Sequence, residues 1–229
     1  MGNNDYMPKR ESNPKGFFED KEVNDINEAI LSKILPNRPT FLGKWLFRSI
    51  PLHNQRWLSR VPVGTKVRSS SEINARIQKL VSRTPFCFKD PRFSYTLPIW
   101  KPFLNKNVFV CVFRNPNDTA LSILKECKYD QALYSLSINL KRALQIWELM
   151  YKHILEVHRH NGEWLFLHYD QIFNQEGLEK LQSFTGAILD YSFPDASLNR
   201  THADMPINGR VLPVYRQLCG LSGYNDPST

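Results

Sequence analysis

The sequence lacks several features that would assign it to a class of protein. Only ten of its 229 residues are glycine, and none of them builds the glycine-rich loop that cradles phosphate groups. It contains no run of about 18 apolar residues, so we expect no membrane-spanning helix. The first ten residues hold no apolar core of a secretory signal. These absences favour a cytoplasmic protein.

Cysteine is also scarce, and the four that occur do not follow the spacing of metal ligands. Cys87 and Cys111 lie in apolar runs, where a cysteine behaves as a small hydrophobic residue. We therefore expect no metal site, and a reducing cytoplasm fits this use of cysteine. A catalytic thiol remains the alternative.

Positive charge is what the chain has in excess. It carries 30 Lys and Arg against 22 Asp and Glu, which gives a net charge of +8. Such a balance favours anionic partners, among them nucleotides, nucleic acid, sulfated glycans and membrane surfaces, without choosing between them. A solvated lysine-rich face is the alternative. A hydrophobic fraction of 41% argues against a disordered protein.

The spacing of apolar residues predicts helices separated by short strands. Continuous apolar runs predict strands over 86–89, 107–113 and 163–168. Such runs are typical of a parallel sheet covered on both faces, so we predict the α/β class. Three-to-four-residue periodicity predicts helices over 19–33, 71–81, 93–100, 117–128, 131–160, 176–184 and 213–219.

We predict one domain over residues 1–229, because the sequence shows no internal repeat and no low-complexity linker. Within it, residues 1–18 are predicted to form a loop. Residues 36–70 are aromatic and basic without a clear period. They are predicted to form an insertion at the edge of a pocket, on the side where an acceptor substrate would bind. Residues 190–229 are predicted to form a loop-rich tail.

The most informative stretch is the strand that ends at Arg114. After it the chain turns through Asn-Pro-Asn, and a helical pattern then places Ser122 eight residues beyond the arginine. Ligands of open α/β sheets lie outside the carboxyl ends of strands, and helix N-termini favour anions. An arginine fork and a hydroxyl both donate to phosphate. The pattern predicts half of a phosphate clamp; a salt-bridged arginine and a serine within a helix are the alternative.

The stretch Arg114-Asn-Pro-Asn-Asp-Thr-Ala-Leu-Ser122 resembles the 3′-phosphate-binding motif of the sulfotransferases, whose donor is 3′-phosphoadenosine-5′-phosphosulfate (PAPS). Four other stretches resemble bacterial members, in family order, over about residues 10–190. They are Asn13-Pro-Lys-Gly-Phe-Phe-Glu19, Lys89-Asp-Pro-Arg92, Leu144-Gln-Ile-Trp147 and His168-Tyr-Asp170.

The resemblance implies a P-loop-like three-layer sandwich with a parallel sheet. It also implies transfer of a sulfuryl group from PAPS to a hydroxyl or amine, with a carbohydrate as the favoured acceptor, PAP as the product and no metal. Arg114 and Ser122 would then hold the 3′-phosphate.

One feature of the family is missing. Family members begin with a strand and a loop that binds the 5′-phosphosulfate, and this chain has neither. A truncated reading frame is one explanation, and a degenerate relative that serves as a non-catalytic nucleotide-binding or interaction module is another. The missing strand would lie inside the sheet and leave backbone groups exposed, so we expect a homodimer or an altered sheet. A basic nucleic-acid binder is the least favoured interpretation.

The resemblance also suggests catalytic residues. Sulfuryl transfer needs a base for the proton of the acceptor, and Glu19 is the first candidate and Asp90 the second. The alternative for Glu19 is a first-turn residue that complements a helix dipole. Lys15 would contact the sulfuryl group, or else it is a solvated loop lysine.

Three further cations are candidates for binding the nucleotide. Lys89 and Arg92 lie at the predicted carboxyl end of a strand, where they would balance charge on donor or acceptor. The alternative is that Arg92 pairs with Asp90 or another carboxylate. Arg210, in the tail, would close over the nucleotide, unless it lies in a solvated loop.

Overall fold

The described part of the chain forms two compact units. The computed structural model describes residues 5–8, 13–36, 38–39 and 46–227. The first unit comprises residues 1–105 and 126–138, and the second comprises residues 106–125 and 139–229. Parts of the predicted loop 1–18, insertion 36–70 and tail 190–229 lie outside the described residues. The single domain predicted from the sequence stays a prediction.

Both helices and strands occur, so the chain is mixed α and β, as the sequence predicts. Among the described helices, none combines the length and the apolar character needed to cross a membrane. The strands are β1 (Val108–Phe113) and β2 (Glu163–His168). The described residues hold seven α-helices: α1 (Lys21–Ser32), α2 (Ser71–Val81), α3 (Phe93–Trp100), α4 (Pro116–Tyr129), α5 (Leu140–Lys152), α6 (Gln175–Thr185) and α7 (Leu212–Ser222).

Helix α1 organises the first unit. Its N-cap is Asp20, whose Oδ1 accepts from the backbone nitrogens of Glu22 at 2.9 Å and Val23 at 3.2 Å. This satisfies amides that have no partner within the helix. The apolar residues of α1 recur every three or four positions and are fully buried, so this face forms the centre of the unit's core.

Helices α2 and α3 pack against α1. Ser70 caps α2 by accepting from the backbone nitrogen of Ile73 at 3.3 Å. In α3, the hydroxyl of Tyr95 donates to the backbone carbonyl of Ser59 at 2.9 Å, which anchors the loop that leads to α2. Trp100, at the end of α3, is buried.

The second unit contains the sheet. Strands β1 and β2 pair in parallel, with Val108 opposite Glu163 and Phe113 opposite His168. The ring of Phe109 stacks on that of Trp164 at 4.8 Å between centroids, which adds a cross-strand contact to the ladder. The core beside the sheet contains Phe113, Trp147, Leu167, Tyr215 and Leu218.

The residues that the structure describes leave one face of β1 partly exposed, contrary to the prediction of a sheet buried on both sides. Val108, Val110 and Val112 are 37%, 37% and 43% exposed. These alternate residues share one face of the strand. The apolar runs imply a larger sheet, on which other elements could pack over these valines. A sheet of two strands offers less surface for such packing. The predicted homodimer remains a prediction.

Two other predictions about elements were wrong. Residues 86–89 do not form a strand in the structure; Phe86 and Phe88 instead stack on each other with ring centroids 4.8 Å apart. The long helix predicted over 131–160 is divided. A short turn at Gln131–Leu133 comes first, and α5 begins only after Asn139, whose side chain caps it at 3.0 Å from the nitrogen of Arg142.

A π-helix, His153–His158, continues α5, and β2 is followed by a 3₁₀ turn, Tyr169–Phe173, which leads to α6. Where this turn meets α6 the backbones come close. A Cβ atom at Gly177 would lie 2.0 Å from the carbonyl oxygen of Gln171. Glycine is therefore required in the first turn of α6.

We predict that Gly177→Ala destabilises the protein by about 2–3 kcal/mol, because the added methyl group collides with backbone and cannot be relieved by a side-chain rotation. Gly220→Ala in α7 is the matched control. It has nothing within 4 Å of its added Cβ and should gain up to about 1 kcal/mol from helix propensity. Urea unfolding followed by fluorescence measures both. Equal midpoints for the two variants would contradict the prediction.

Candidate functional site

The first unit contains a buried carboxylate, Glu28, which two arginines share. Its Oε2 accepts from Arg56 Nη1 at 2.8 Å, and its Oε1 accepts from Arg92 Nε at 2.7 Å. The backbone nitrogens of Asn54 and Arg56 donate to it as well, at 2.9 Å and 3.1 Å. The Glu28 side chain is fully buried, so these bonds replace the water it has lost.

Asp90 and Arg92, both predicted site residues, belong to the same network. Arg92 Nη1 lies 3.1 Å from Asp90 Oδ1 and donates to Asn24 Oδ1 at 2.8 Å. Arg92 is 2% exposed. Burial raises the pKa of Asp90, although the Arg92 guanidinium favours its charged form. The structure thus has the alternative arrangement, in which Arg92 pairs with carboxylates.

Asn27 completes the network and was missed from the sequence. Its Nδ2 donates to Asp90 Oδ2 at 3.1 Å, while its Oδ1 accepts from Thr96 at 2.7 Å and from Trp100 Nε1 at 2.9 Å. Asn24, Asn27 and Glu28 follow helical spacing on α1. The sequence signal that could have revealed this network is the three-to-four spacing of polar residues within an otherwise apolar helix face.

The predicted base Glu19 lies at the edge of this network. Its Oε1 is 2.6 Å from Lys89 Nζ, and its Oε2 accepts from Asn24 Nδ2 at 3.3 Å. Glu19 precedes the N-cap of α1, so it is not the first-turn residue of the alternative. Lys89 is 57% exposed in its side chain. Four predicted residues of the first unit, Glu19, Lys89, Asp90 and Arg92, are therefore linked through direct contacts and Asn24.

Lys15 lies in the described loop before Glu19 and is half-buried. The segment from Asn13 to Gly16 forms a turn, in which the Gly16 nitrogen donates to the Asn13 carbonyl at 3.1 Å. The contact of Lys15 with a sulfuryl group, expected from the sequence, stays a prediction.

In the second unit, Arg114 follows β1 directly, at its carboxyl end, as predicted. Its Nη2 donates to Asn199 Oδ1 at 2.6 Å and to the carbonyl oxygen of Thr201, and lies 3.3 Å from Asp118 Oδ2. The guanidinium carbon is 5.3 Å from the ring centroid of Tyr169, a cation–π distance. Arg114 Nε is buried and has no hydrogen-bond partner among the described residues.

The segment from Asn199 to Ala203 is held against the start of α4. The nitrogen of Ala203 donates to Asp118 Oδ1 at 2.7 Å. His202 is exposed, with Nε2 2.9 Å from the Asn199 carbonyl and Nδ1 3.8 Å from Asp118 Oδ2. Asn117 Nδ2 donates to the carbonyls of the following residues, Met205 and Pro206. Oxygen atoms of this segment thus accept the hydrogen bonds that Arg114 donates at the end of β1.

Ser122 lies on α4 and is exposed. It follows Asp118 by four residues, and residues four apart lie on the same side of a helix. Because Asp118 is the ion-pair partner of Arg114, the serine is one helical turn beyond the contact. The exposed hydroxyl and the arginine therefore belong to the same strand–turn–helix unit.

Behind Arg114, the backbone and core are tied to α5. Trp147 Nε1 donates to the carbonyl of Arg114 at 3.3 Å, and the hydroxyl of Tyr151 donates to the carbonyl of Val112 at 3.0 Å. Trp147 is 1% exposed, so it is a core residue. These bonds fix the backbone from which the arginine projects.

His168, at the end of β2, lies in a hydrogen-bonded aromatic cluster. Its Nδ1 accepts from the Asp170 nitrogen at 3.2 Å, which leaves Nε2 to donate to Tyr215 Oη at 3.1 Å in the neutral ring. Tyr215 in turn donates to Asp226. The ring of Tyr224 stacks on His168 at 3.8 Å, and its hydroxyl donates to Asp170 at 2.9 Å. Burial lowers the pKa of His168.

Arg210 lies elsewhere in the second unit. Its Nε donates to Glu148 Oε2 at 2.6 Å, and its side chain is 58% exposed. The other oxygen of Glu148 is 2.9 Å from Lys152. Beside this pair is a groove of about 280 Å³ with Leu144 and Val211 in its lining. No contact between Arg210 and Arg114 is seen in the described residues.

No protein-family model, no curated protein and no solved structure matches this chain. Over the residues that the structure describes, no three His, Cys, Asp or Glu side chains are grouped so that they could hold a metal ion. The arrangement of the chain's own residues therefore carries the functional argument.

We predict that Glu28→Ala destabilises the protein by about 3–5 kcal/mol, because it leaves Arg56 and Arg92 buried without their shared counter-charge. Glu176→Ala is the control. It breaks an exposed pair with Lys180 on α6 and should leave the urea midpoint unchanged within error. A Glu28→Ala midpoint equal to that of the control would show that the network contributes nothing.

We also predict that stability falls as the pH drops below about 6.5. A folded-state pKa of His168 below the ordinary 6.5 means that the unfolded chain takes up a proton more readily than the folded one. His168→Gln should flatten this part of the pH dependence. Urea midpoints between about pH 5.5 and about pH 8 measure it. Parallel curves for the wild type and His168→Gln would refute it.

Proposed function

We propose that the chain is a sulfotransferase-like protein, cytoplasmic, whose second unit binds the 3′-phosphate of PAP or PAPS through Arg114 and Ser122. The observation that carries this proposal is the position of Arg114. It directly follows a parallel strand, α4 begins two residues later, and Ser122 is exposed on that helix. A strand end and a helix start are where fixed positive charge and backbone amides favour an anion.

The contacts of Arg114 support a phosphate ligand. Its present acceptors are oxygen atoms, one from the side chain of Asn199 and one from the backbone of Thr201. Phosphate oxygens are acceptors of the same kind with more charge, and the arginine fork fits two of them. Since Asn199 and Thr201 precede α7 in a loop, an incoming phosphate can replace them without opening the core.

Asp118 sets the energetic balance of this site. Its carboxylate lies 3.3 Å from Arg114, in the first turn of α4, where it complements the helix dipole. A phosphate next to Arg114 would be repelled by this charge, so Arg114 and the exposed Ser122 must together outweigh it. A dianionic group gains more from the guanidinium but is also repelled more by Asp118, so the hydrogen bonds to Arg114 and Ser122 decide the affinity.

Both candidate bases predicted from the sequence, Glu19 and Asp90, belong to the first unit. In the reaction, an acceptor oxygen or nitrogen bonds to sulfur as the bond from sulfur to the phosphate oxygen breaks, PAP leaves, and a base takes the acceptor's proton. Of the two candidates, we favour Glu19. Both oxygens of Asp90 are used within the buried network, whereas Glu19 lies at its edge and pairs with the exposed Lys89.

A P-loop-like three-layer sandwich is the architecture that goes with this proposal; the parallel pairing of β1 and β2 is compatible with it. A second candidate function is a non-catalytic nucleotide-binding module, favoured by the ion pairs in which both candidate bases, Glu19 and Asp90, are engaged. Incubation with PAPS carrying labelled sulfate separates the two. Transfer to a carbohydrate hydroxyl or amine supports the enzyme, and nucleotide binding without transfer supports the module.

We predict that titration calorimetry detects binding of PAP and that Arg114→Ala weakens it about 10- to 100-fold, the loss expected for charge-assisted hydrogen bonds. Ser122→Ala, which removes one neutral donor, should weaken it about threefold to tenfold. Arg216→Ala, at an exposed arginine on α7, is the matched control and should leave the affinity unchanged.

A nucleotide without the 3′-phosphate, 5′-AMP, completes the design. It should bind the wild type and the Arg114→Ala variant equally weakly, because the contact under test is absent from it. If PAP binds the wild type no better than 5′-AMP, or if Arg114→Ala and Arg216→Ala behave alike, the assignment of the 3′-phosphate to Arg114 is wrong.

A further inference from the structure

Asn199, the side chain that accepts from Arg114, is itself held from its other end. Its Oδ1 accepts from Arg114 Nη2 at 2.6 Å, and its Nδ2 lies 3.5 Å from Asp170 Oδ1. The other oxygen of Asp170, Oδ2, accepts from the hydroxyl of Tyr224 at 2.9 Å. A line of contacts therefore runs from Tyr224 through Asp170 and Asn199 to the guanidinium.

The groups along this line are arranged so that each contact strengthens the next. The phenol of Tyr224 donates to the Asp170 carboxylate, and that carboxylate faces the amide nitrogen of Asn199. The amide oxygen then accepts from the guanidinium. Hydrogen bonds arranged head to tail polarise one another. The Asp170 carboxylate thus orients the amide with its oxygen toward Arg114 and makes that oxygen a better acceptor.

Tyr224 belongs to a turn that is anchored on the core of the second unit. Residues 223–226 follow α7, and we name them the latch. The ring of Tyr224 stacks on that of His168, with 3.8 Å between centroids and 6° between planes. Asp226 accepts from the hydroxyl of Tyr215. Because His168 and Tyr215 are both buried, the latch has a fixed position from which its phenol can hold a carboxylate.

Residues 199–203, which we name the strap, compete with any anion for the same cation. Arg114 donates to the carbonyl of Thr201, and the nitrogen of Ala203 donates to Asp118 Oδ1 at 2.7 Å. A phosphate that binds the guanidinium must displace the oxygen atoms of the strap. Whatever stabilises the closed strap is therefore subtracted from the free energy of phosphate binding.

We propose that Tyr224 and Asp170 are positioning residues that hold the strap closed on Arg114, so that the latch lowers the affinity of the site for an anion. This inference rests on the phosphate site of the proposed function and adds a regulation of that site. Coupling of this kind is reciprocal. A weaker latch tightens anion binding, and a bound anion loosens the strap and the latch.

The first test is titration calorimetry with PAP on the full chain, with variants at the two ends of the line. Tyr224→Phe keeps the ring that stacks on His168 and removes only the hydroxyl, whereas Asn199→Ala removes the acceptor itself. We expect Asn199→Ala to tighten PAP binding about threefold to tenfold and Tyr224→Phe about twofold to fivefold, the size of one hydrogen bond. The double variant should bind as Asn199→Ala does, because Tyr224 acts through Asn199. Tyr191→Phe, at a tyrosine that is 42% exposed, is the matched control and should leave the affinity unchanged.

The second test needs no ligand and follows hydrogen exchange over residues 199–206. The Ala203 amide is bonded to Asp118, so its protection reports whether the strap is closed. Exchange here should be at least about twofold faster in Tyr224→Phe than in the wild type, and unchanged in Tyr191→Phe. Addition of PAP to the wild type should also speed this exchange, because the phosphate displaces the strap.

Three results would overturn the proposal. One is additive effects of Tyr224→Phe and Asn199→Ala on PAP affinity, and another is a Tyr224→Phe variant that equals the wild type in both tests. The third is slower exchange of the strap when PAP is added, which would mean that it closes over the ligand instead of competing with it.

The latch and the nucleotide site fail in distinguishable ways. If no variant binds PAP, the proposed function is wrong, and faster exchange of the strap in Tyr224→Phe still supports the latch. If PAP binds through Arg114 while neither its affinity nor the exchange of the strap responds to Tyr224→Phe, the latch alone is wrong.

Discussion

A charged side chain that leaves water must find partners, and this requirement organises both units of the chain. In the first unit, Glu28 is fully buried, and two guanidiniums and two backbone amides converge on it. These bonds tie α1 to the turn at Arg56 and to the start of α3. In the second unit, Arg114 stands at the end of β1, and the chain near Asn199 returns to supply it with oxygen atoms. Each unit is thus held together around an ion that could not be buried alone.

The ion pairs of Glu28 and those of Arg114 differ in whether a ligand could replace one of the partners. Both guanidiniums that pair with Glu28 are buried, so neither can exchange it for a ligand without loss of stability. The partners of Arg114 include a loop and a carboxylate on the first turn of α4, while one nitrogen of its guanidinium has no partner among the described residues. Such a cation can change acceptors at small cost. This contrast is why the candidate ligand site is assigned to Arg114 rather than to Arg92, even though both arginines stood out in the sequence.

Much of the fold could be predicted, and the failures share a cause. Helices α1, α2 and α4, and both strands, lie within a few residues of their predicted bounds, because their periodicity and their caps are local properties. The helix predicted over 131–160 was wrong since its apolar spacing runs across a unit boundary. Leu133 and Leu136 are buried in the first unit, whereas Leu144 and Trp147 are buried in the second. The strand predicted over 86–89 is apolar enough, but a strand exists only where another pairs with it, and that pairing is not local.

The sequence by itself determined most of the helices, both strands, the excess of positive charge and the strand–turn–helix that presents Arg114, because each depends on residues close together in the chain. It also offered two roles for Arg92 and could not decide between them. Only the tertiary structure decided that Arg92 pairs with Glu28 and Asp90, and that Glu19 pairs with Lys89. It also decided that residues from Asn199 onward accept hydrogen bonds from Arg114. The contacts of Arg92 with Glu28, of Lys89 with Glu19 and of Arg114 with Asn199 join positions 64, 70 and 85 residues apart. Which charges meet across such separations follows from how the apolar faces pack, since packing fixes the few places where a desolvated ion can be paired.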